Sequence, residues 1–206
     1  MGFLLENCTF CELSAKLIQE CGSFCCSKES DIDEFFHDEF DGYQKNLLSK
    51  SYCFVTETIP HRIACAFTVA NANIKVDILT TRKRNRINRS IPNSKRKSQY
   101  PAVLVGQLAV FDGFHGMNIG DELMDFIKSW FIDPLNKTGC RYVIVDAINK
   151  EKVIAFYQKN GFEYMFNSDK EEMLSLKNDT LLEKDLEDEY KKTRLMYFDL
   201  LLLKGK

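Results

Sequence analysis

The chain has 206 residues, 45% of them hydrophobic, which is enough for one sizeable core and too short for two full domains. Its formal net charge of -2 excludes a global field that would draw it to nucleic acid or membrane, so such a partner would need a local patch. No apolar run reaches the length of a membrane span, and MGFLLENCTF lacks a basic stretch followed by an apolar core, so a cytoplasmic protein with no membrane partner is expected.

Eight cysteines, at 8, 11, 21, 25, 26, 53, 65 and 140, would suggest disulfides in a small secreted chain; with no secretion signal they read as reduced thiols. Cys8 and Cys11 form a C-x-x-C with Cys21, Cys25 and Cys26 nearby, but the second half of a zinc spacing is irregular and no metal is expected.

FLLEN reads as a first strand, and CELSAKLIQECG as a helix whose Leu13, Leu17 and Ile18 share a face before Gly22 ends it. A second helix starts at Ser30 or Asp31 and carries Ile32, Phe35, Phe36, Phe40, Tyr43 and Leu47 as a core stripe, of which Phe35 and Phe36 could also wall a substrate slot. SYCFVTE at 51–57 and RIACAFTVANANI at 62–74 predict a hairpin turned at Pro60. The segment from Arg82 to Lys97 holds eight basic residues and no acid. It predicts either a solvated, mobile loop or a contact with the phosphates of a nucleotide cofactor or RNA.

Residues 102–124, AVLVGQLAVFDGFHGMNIGDELM, are the centre of the chain. Ala102 to Val110 is a buried strand, Gly113, Gly116 and Gly120 punctuate a turn, and Ile119, Leu123, Phe126, Ile127, Trp130 and Phe131 recur at helical spacing. A helix start behind a glycine turn presents unpaired N–H groups and the positive end of the helix dipole, which suits an anion. The glycines alone allow equally that they only turn the chain. The P-loop and dinucleotide fingerprints are both absent. Beyond Asp133 and Pro134, RYVIVDAI at 141–148 predicts a buried strand, Asn149 caps the helix KEKVIAFYQKN, and Gly161 ends it. FEYMF follows as a strand. Residues 168–192, acidic towards their end at Glu183, Asp185, Glu187, Asp188 and Glu189, predict an exposed helical excursion, and RLMYFDLLLLK a last strand.

The series V-G-Q-L-A-V, F-H-G-M-N-I-G-D-E-L-M, G-C-R-Y-V-I-V-D-A and A-F-Y-Q-K-N-G-F resembles the GNAT superfamily of N-acetyltransferases in order, spacing and chemistry. The resemblance spans about residues 50–166 and implies a mixed α/β fold. Its sheet would be mostly antiparallel and twisted, with six to seven strands flanked by about four helices. The whole chain, 1–206, would be a single acetyltransferase domain, with 81–99 and 168–192 as insertions. A looser likeness, over FCCSKESDIDEFFHDEFDGYQKNLLSKSYCFV and FTVANANI, is to the branch containing toxins that acetylate aminoacyl-tRNA.

In that family, Gln/Arg-x-x-Gly-x-Gly/Ala cradles the pyrophosphate of acetyl-CoA through backbone N–H groups. The resemblance puts His115, Gly116, Met117, Asn118, Ile119, Gly120 and Asp121 there, Leu108, Ala109 and Val110 along the pantetheine arm, and Asn149 and Phe156 at the cofactor. His115 replaces Gln or Arg, and Asn118 replaces the first required glycine; Asn is the mildest replacement because it tolerates the left-handed conformation. Asp121 and Glu122 should face away from a phosphate. Tyr157 matches the tyrosine that protonates the departing thiolate. As general base, Asp112 and Asp146 are the reachable carboxylates and neither stands out, which favours an amine of low pKa or a water relay. The expected activity is acetyl transfer from acetyl-CoA to a primary amine, small-molecule, peptide or tRNA-borne, with 82–97 as the nucleic-acid contact and a homodimer compatible. A non-catalytic acyl-CoA module is the alternative.

Overall fold

The computed structural model describes residues 2–22, 24–27, 29–89, 91–176 and 192–204. Its strands are β1 (Cys8–Glu12), β2 (Lys50–Thr56), β3 (Ile63–Lys75), β4 (Gln99–Val110), β5 (Tyr142–Ile148), β6 (Glu163–Tyr164) and β7 (Thr193–Asp199), and they form one sheet in the order β1-β2-β3-β4-β5-β7-β6. The sheet is mostly antiparallel, in agreement with the fold class expected, although more than four helices accompany it among the described residues. The chain divides into two compact units, 1–71 with 105–130 and 72–104 with 131–206, each holding part of the long strands β3 and β4.

In the first unit the predicted hairpin is present: β2 and β3 pair antiparallel, Lys50 opposite Val69, with a register shift after Phe54. Alternation then sorts the side chains. Cys53, Val55, Ile63 and Ala66 join Leu13, Phe35, Phe36 and Phe40 in one cluster. Tyr52, Phe54 and Phe67 join Phe10 of β1 and Phe126 and Trp130 of a long helix that follows β4, with ring centroids 4.7 Å apart for Phe10–Phe126 and 4.8 Å for Tyr52–Trp130. Each buried aromatic contributes roughly 1.5–3 kcal/mol.

FLLEN is helical rather than a strand: α1 (Phe3–Asn7) buries only Leu4, leaves Leu5 exposed, and its Leu5 N–H donates to the Glu122 carboxylate at 3.2 Å. An anion at the N-terminal turn suits a helix and gives nothing to a strand. α2 (Ala15–Cys21) starts at Ser14, whose Oγ accepts the Leu17 N–H, and ends at Gly22 with φ 75°. α3 (Ser30–Glu34) runs through a wide π turn, Phe35–Glu39, into α4 (Phe40–Lys45). Phe40 N–H reaches the Phe35 carbonyl, and the wide turn sets the adjacent Phe35 and Phe36 both into the core.

The second unit corrects the reading of the basic segment. The segment's first half is not a loop: α5 (Thr81–Asn88) buries Asn88, and sets Ile87 in a cluster with Ile74, Tyr100, Tyr142, Ile144 and Tyr197, whereas 92–97 are exposed, as a solvated loop would be, around one 3-10 turn at Asn93–Lys95. The segment's own cations make this possible. Arg84 donates to the carbonyls of Val76, Asp77 and Leu79, Lys83 Nζ donates to the Tyr164 carbonyl at 2.6 Å, and Arg86 pairs with Glu163. Tyr100 Oη donates to the Asn88 side chain at 2.7 Å.

In the same unit β5 pairs with β7 along its whole length, Tyr142 opposite Asp199 and Ile148 opposite Thr193. FEYMF gives only the two-residue β6, because Met165 and Phe166 turn into the core. RLMYFDLLLLK is strand only to Asp199, whose carboxylate accepts the Leu201 N–H and winds Leu200–Leu203 into a 3-10 turn. Of the charged excursion, α8 (Asp169–Leu176) is described, fastened by a buried pair of Arg194 with Glu172 at 2.8 Å. Its acidic residues from Glu183 to Glu189 lie outside the described residues. No helix among the described residues is long and apolar enough to cross a membrane.

Candidate active site

The turn that follows β4 lies wholly in the first unit. Leu108 and Val110 are half-buried and Ala109 is buried. Past Val110 the chain is tied down at two places: Phe111 N–H donates to the Ala64 carbonyl at 3.1 Å and Asp112 N–H to the Cys25 carbonyl at 3.0 Å. After a 3-10 turn, Asp112–Phe114, Gly116 has φ 82° and Asn118 φ 59°, on either side of the exposed Met117. Both are left-handed, a conformation open to glycine and tolerated by asparagine. The helix α6 (Ile119–Ile132) then begins, burying Ile119, Leu123, Met124 and Ile127. Its first-turn N–H groups stand behind the left-handed pair, the arrangement that accepts an anion.

His115 has a role that the sequence did not reveal. Its Nε2 lies 2.8 Å from the Val110 carbonyl and 3.5 Å from Asp112 Oδ1, so the ring closes the turn across its own start. Glu122 faces α1, as its bond to Leu5 N–H requires, and so points away from the turn.

Two further residues of this turn were invisible in sequence because their partners are far along the chain. Ser27 N–H donates to Asp112 Oδ2 at 3.2 Å, and hydrogen bonds from Ser27 hold the Asp112 carboxyl below the usual carboxylate range. A carboxylate stabilised in this way is a weak base. Arg62 lies over the Phe114 ring at 5.6 Å. Together with Cys21, Phe24, Phe111 and Asp112, Arg62 lines a cavity of about 130 Å³.

The second unit holds the other candidates. α7 (Glu151–Lys159) carries Phe156 and Tyr157, both half-buried, and the Tyr157 ring packs edge-on against Phe156 at 5.1 Å and Phe162 at 5.5 Å. Burial pushes the phenol up to about 12, so it stays protonated at neutral pH. Among the described residues its hydroxyl has no hydrogen-bond partner. Asn149 is not the helix cap expected of it: Lys150 stands at that position, while the Asn149 side chain donates to Asp169 at 3.0 Å and its backbone N–H to the Lys192 carbonyl at 2.8 Å. The amide is spent on joining α8 to the start of α7. Asp146 is exposed on β5 opposite Leu195.

Cys8 and Cys11 lie three apart on β1, so alternation sends them to opposite faces of the sheet and they cannot converge on one ion. Cys11 faces Cys53.

No family model and no curated protein sequence matches the chain. Among solved structures it is similar to a tyrosine-to-phenylalanine mutant of KacT, 14% identical, covering 97% of this chain and 99% of that chain with a TM-score of 0.66. It is similar also to AtaT complexed with acetyl-methionyl-tRNAfMet, 15% identical over 97% and 98% of the two chains, TM-score 0.64. AtaTR bound with AcCoA is a third, at 15% identity, the same coverage and a TM-score of 0.62. At these identities the likeness is one of fold.

Proposed function

We propose that the chain is an acetyl-CoA-dependent N-acetyltransferase that moves an acetyl group to a primary amine by direct attack on the thioester. The observation that carries this reading is the left-handed pair Gly116 and Asn118 in front of α6, in a chain whose fold resembles that of a structure bound with AcCoA. Gly116, Met117, Asn118, Ile119, Gly120 and Asp121 are the residues whose backbone would hold the pyrophosphate. A Cβ built on Gly116 meets no atom within 4 Å, so the space in front of that backbone is open to a ligand. Leu108 to Val110 would bind the pantetheine arm and supply an N–H to the thioester oxygen, where charge develops in the transition state. Tyr157, kept protonated by burial, is the general acid for the leaving thiolate.

For the acceptor, the reading favours an amine that is already partly neutral. Asp112 is held ionised by Ser27 and Asp146 is exposed, so neither is shaped to take a proton from a lysine-like amine with a pKa near ~10.4. An α-amine near ~8 needs no strong base. The α-amine of aminoacyl-tRNA meets this requirement, and α5 supplies a matching surface: Arg82, Asn85, Arg86 and Arg89 line an open groove of about 410 Å³. One structure of similar fold is of AtaT with an acetylated aminoacyl-tRNA.

The deciding experiment incubates the purified protein with labelled acetyl-CoA and a pool of polyamines, peptides and charged tRNA, and then locates the label. Label on charged tRNA is expected. Label on another amine overturns the tRNA acceptor alone. CoA binding with no labelled product marks the non-catalytic module, and absence of CoA binding overturns the whole reading.

A further inference from the structure

Cys11 and Cys53 face each other across the first two strands. They are directly paired in the β1–β2 register, and two bonds fix the kind of pair: Leu13 N–H donates to the Ser51 carbonyl and Glu57 N–H to the Asn7 carbonyl, both at 2.9 Å. Odd-numbered residues of β1 therefore sit in hydrogen-bonded pairs, where Cα atoms are about 5.5 Å apart, within the span of a disulfide. The two sulfurs are 3.6 Å apart and share a hydrogen bond. An approach of about 1.5 Å would bring them to bonding distance.

The surroundings make this pair different from the chain's other thiols. Cys11 is half-buried, which gives a small reagent access, whereas Cys53 is fully buried against Phe35 and Phe36. The bond to Cys53 also lowers the Cys11 thiol to about 7, while burial pushes Cys8, Cys26 and Cys140 up to about 11 and leaves them protonated. Only a thiolate attacks a disulfide.

We infer that Cys11 and Cys53 form a reversible dithiol–disulfide site, oxidised by a low-molecular-weight disulfide such as glutathione disulfide. The Cys11 thiolate attacks one glutathione sulfur, forming a mixed disulfide and releasing one glutathione thiolate. Once Cys11 is in the mixed disulfide, the hydrogen bond that most raises the Cys53 thiol is gone. The released thiolate takes the Cys53 proton, the Cys53 sulfur attacks Cys11 Sγ, and the second glutathione thiolate leaves and takes up from solvent the proton that Cys11 had given to it. Two protein thiols are oxidised and one glutathione disulfide is reduced to two thiols, so atoms and electrons balance. The bond closes a loop from residue 11 to residue 53 that contains α2, α3 and α4, and with them Phe35, Phe36 and Phe40.

The test equilibrates the full chain with glutathione disulfide, blocks remaining thiols under denaturing conditions, and maps peptides by mass. A linked Cys11–Cys53 peptide is expected, lighter by two hydrogen atoms and restored by dithiothreitol, with an upward shift in the urea midpoint that reverses on reduction. Cys11→Ala, at the half-buried position, should lose the link while keeping the circular dichroism spectrum; Cys25→Ser, at the exposed thiol, should keep it. Full alkylation of Cys11 and Cys53 after oxidation, or glutathione found on Cys25 alone, overturns the inference.

Discussion

The imidazole of His115 lies 2.8 Å from the Val110 carbonyl, so the last residue of β4 and the residue before the left-handed pair are joined through a side chain. A ring that is only partly exposed and bonded in this way shapes the turn instead of waiting for a ligand. His115→Ala should weaken acetyl-CoA binding by about 2- to 10-fold, the loss of roughly one hydrogen bond. Turnover at saturating donor should be unchanged. Calorimetric titration with CoA checks the first, and an unchanged dissociation constant would remove the ring from the account of the turn.

Asn118 at φ 59° provides a second, sharper test. Asn118→Gly relieves a conformation that costs a non-glycine residue about 1–2 kcal/mol, so acetyl-CoA affinity should hold or improve. A β-branched residue cannot adopt it without strain, and Asn118→Val should lower stability by about 1–3 kcal/mol and weaken CoA binding. Gly116→Ala is the control for stability: its Cβ meets no protein atom within 4 Å, so any loss of stability there is backbone strain alone. Equal CoA affinity in Asn118→Gly and Asn118→Val would show that the turn does not hold the cofactor.

Tyr157→Phe removes only the hydroxyl and keeps both ring contacts, to Phe156 and Phe162. A general acid contributes about 10²- to 10⁴-fold. Turnover should fall by that range while CoA affinity stays within a factor of about three. Because burial holds the phenol near 12, the wild-type rate should also show no descending limb between pH 8 and pH 10 from this group. A bell-shaped profile that Tyr157→Phe leaves unaltered would assign the proton to another residue.

The sequence was most legible where a side chain's neighbours were local. β-Branched and aromatic enrichment on either side of Pro60 predicted the hairpin in 51–74, and the stripe from Ile119 predicted α6, since local composition and period 3.6 are properties of nearby residues. Asn118 could be read as a glycine substitute because the requirement lies in its own backbone. By contrast, the helical half of the basic segment looked unfoldable because Lys83 and Arg86 are held by Tyr164 and Glu163, about eighty residues away, and because the carbonyls at 76, 77 and 79 that Arg84 satisfies are backbone groups with no side-chain signal. Ser27 on Asp112, and the bond from Leu5 to Glu122 at the start of α1, are hidden for the same reason.

That division of labour along α5 separates two arginines that composition treats alike. Arg84 donates three bonds to carbonyls within its own unit, whereas Arg89 lines the open groove. Arg84→Ala should destabilise the fold by about 1–3 kcal/mol whatever the substrate. Arg82→Glu with Arg89→Glu should leave the thermal midpoint nearly unchanged, yet cut acetylation of charged tRNA and reduce its salt slope by about one to two. A double variant as active as wild type on charged tRNA would take the groove out of substrate binding.

The buried thiols set an alkaline limit. Cys8 and Cys26, 8% and 6% exposed, are raised by desolvation from an ordinary 9.0 to about 11, with nearby carboxylates adding to the effect. A thiol whose folded pKa is raised contributes stability that is complete below pH 9, where both states are protonated, and that is lost as pH climbs through 11, because the unfolded chain ionises first. Each thiol should take away about 1–3 kcal/mol across that window. Tyr157 and Tyr197, raised to about 12, extend the decline above pH 10. Between pH 7 and 9 the Cys11 thiol, lowered to about 7, ionises in the folded chain first and adds stability, so urea midpoints under reducing conditions should be no lower at pH 9 than at pH 7, and lower at pH 10.5 than at pH 9. Cys26→Ala should flatten part of that fall. A midpoint that does not move between pH 9 and 10.5 would mean that the thiolates are accommodated in the fold and that burial is not what protects them.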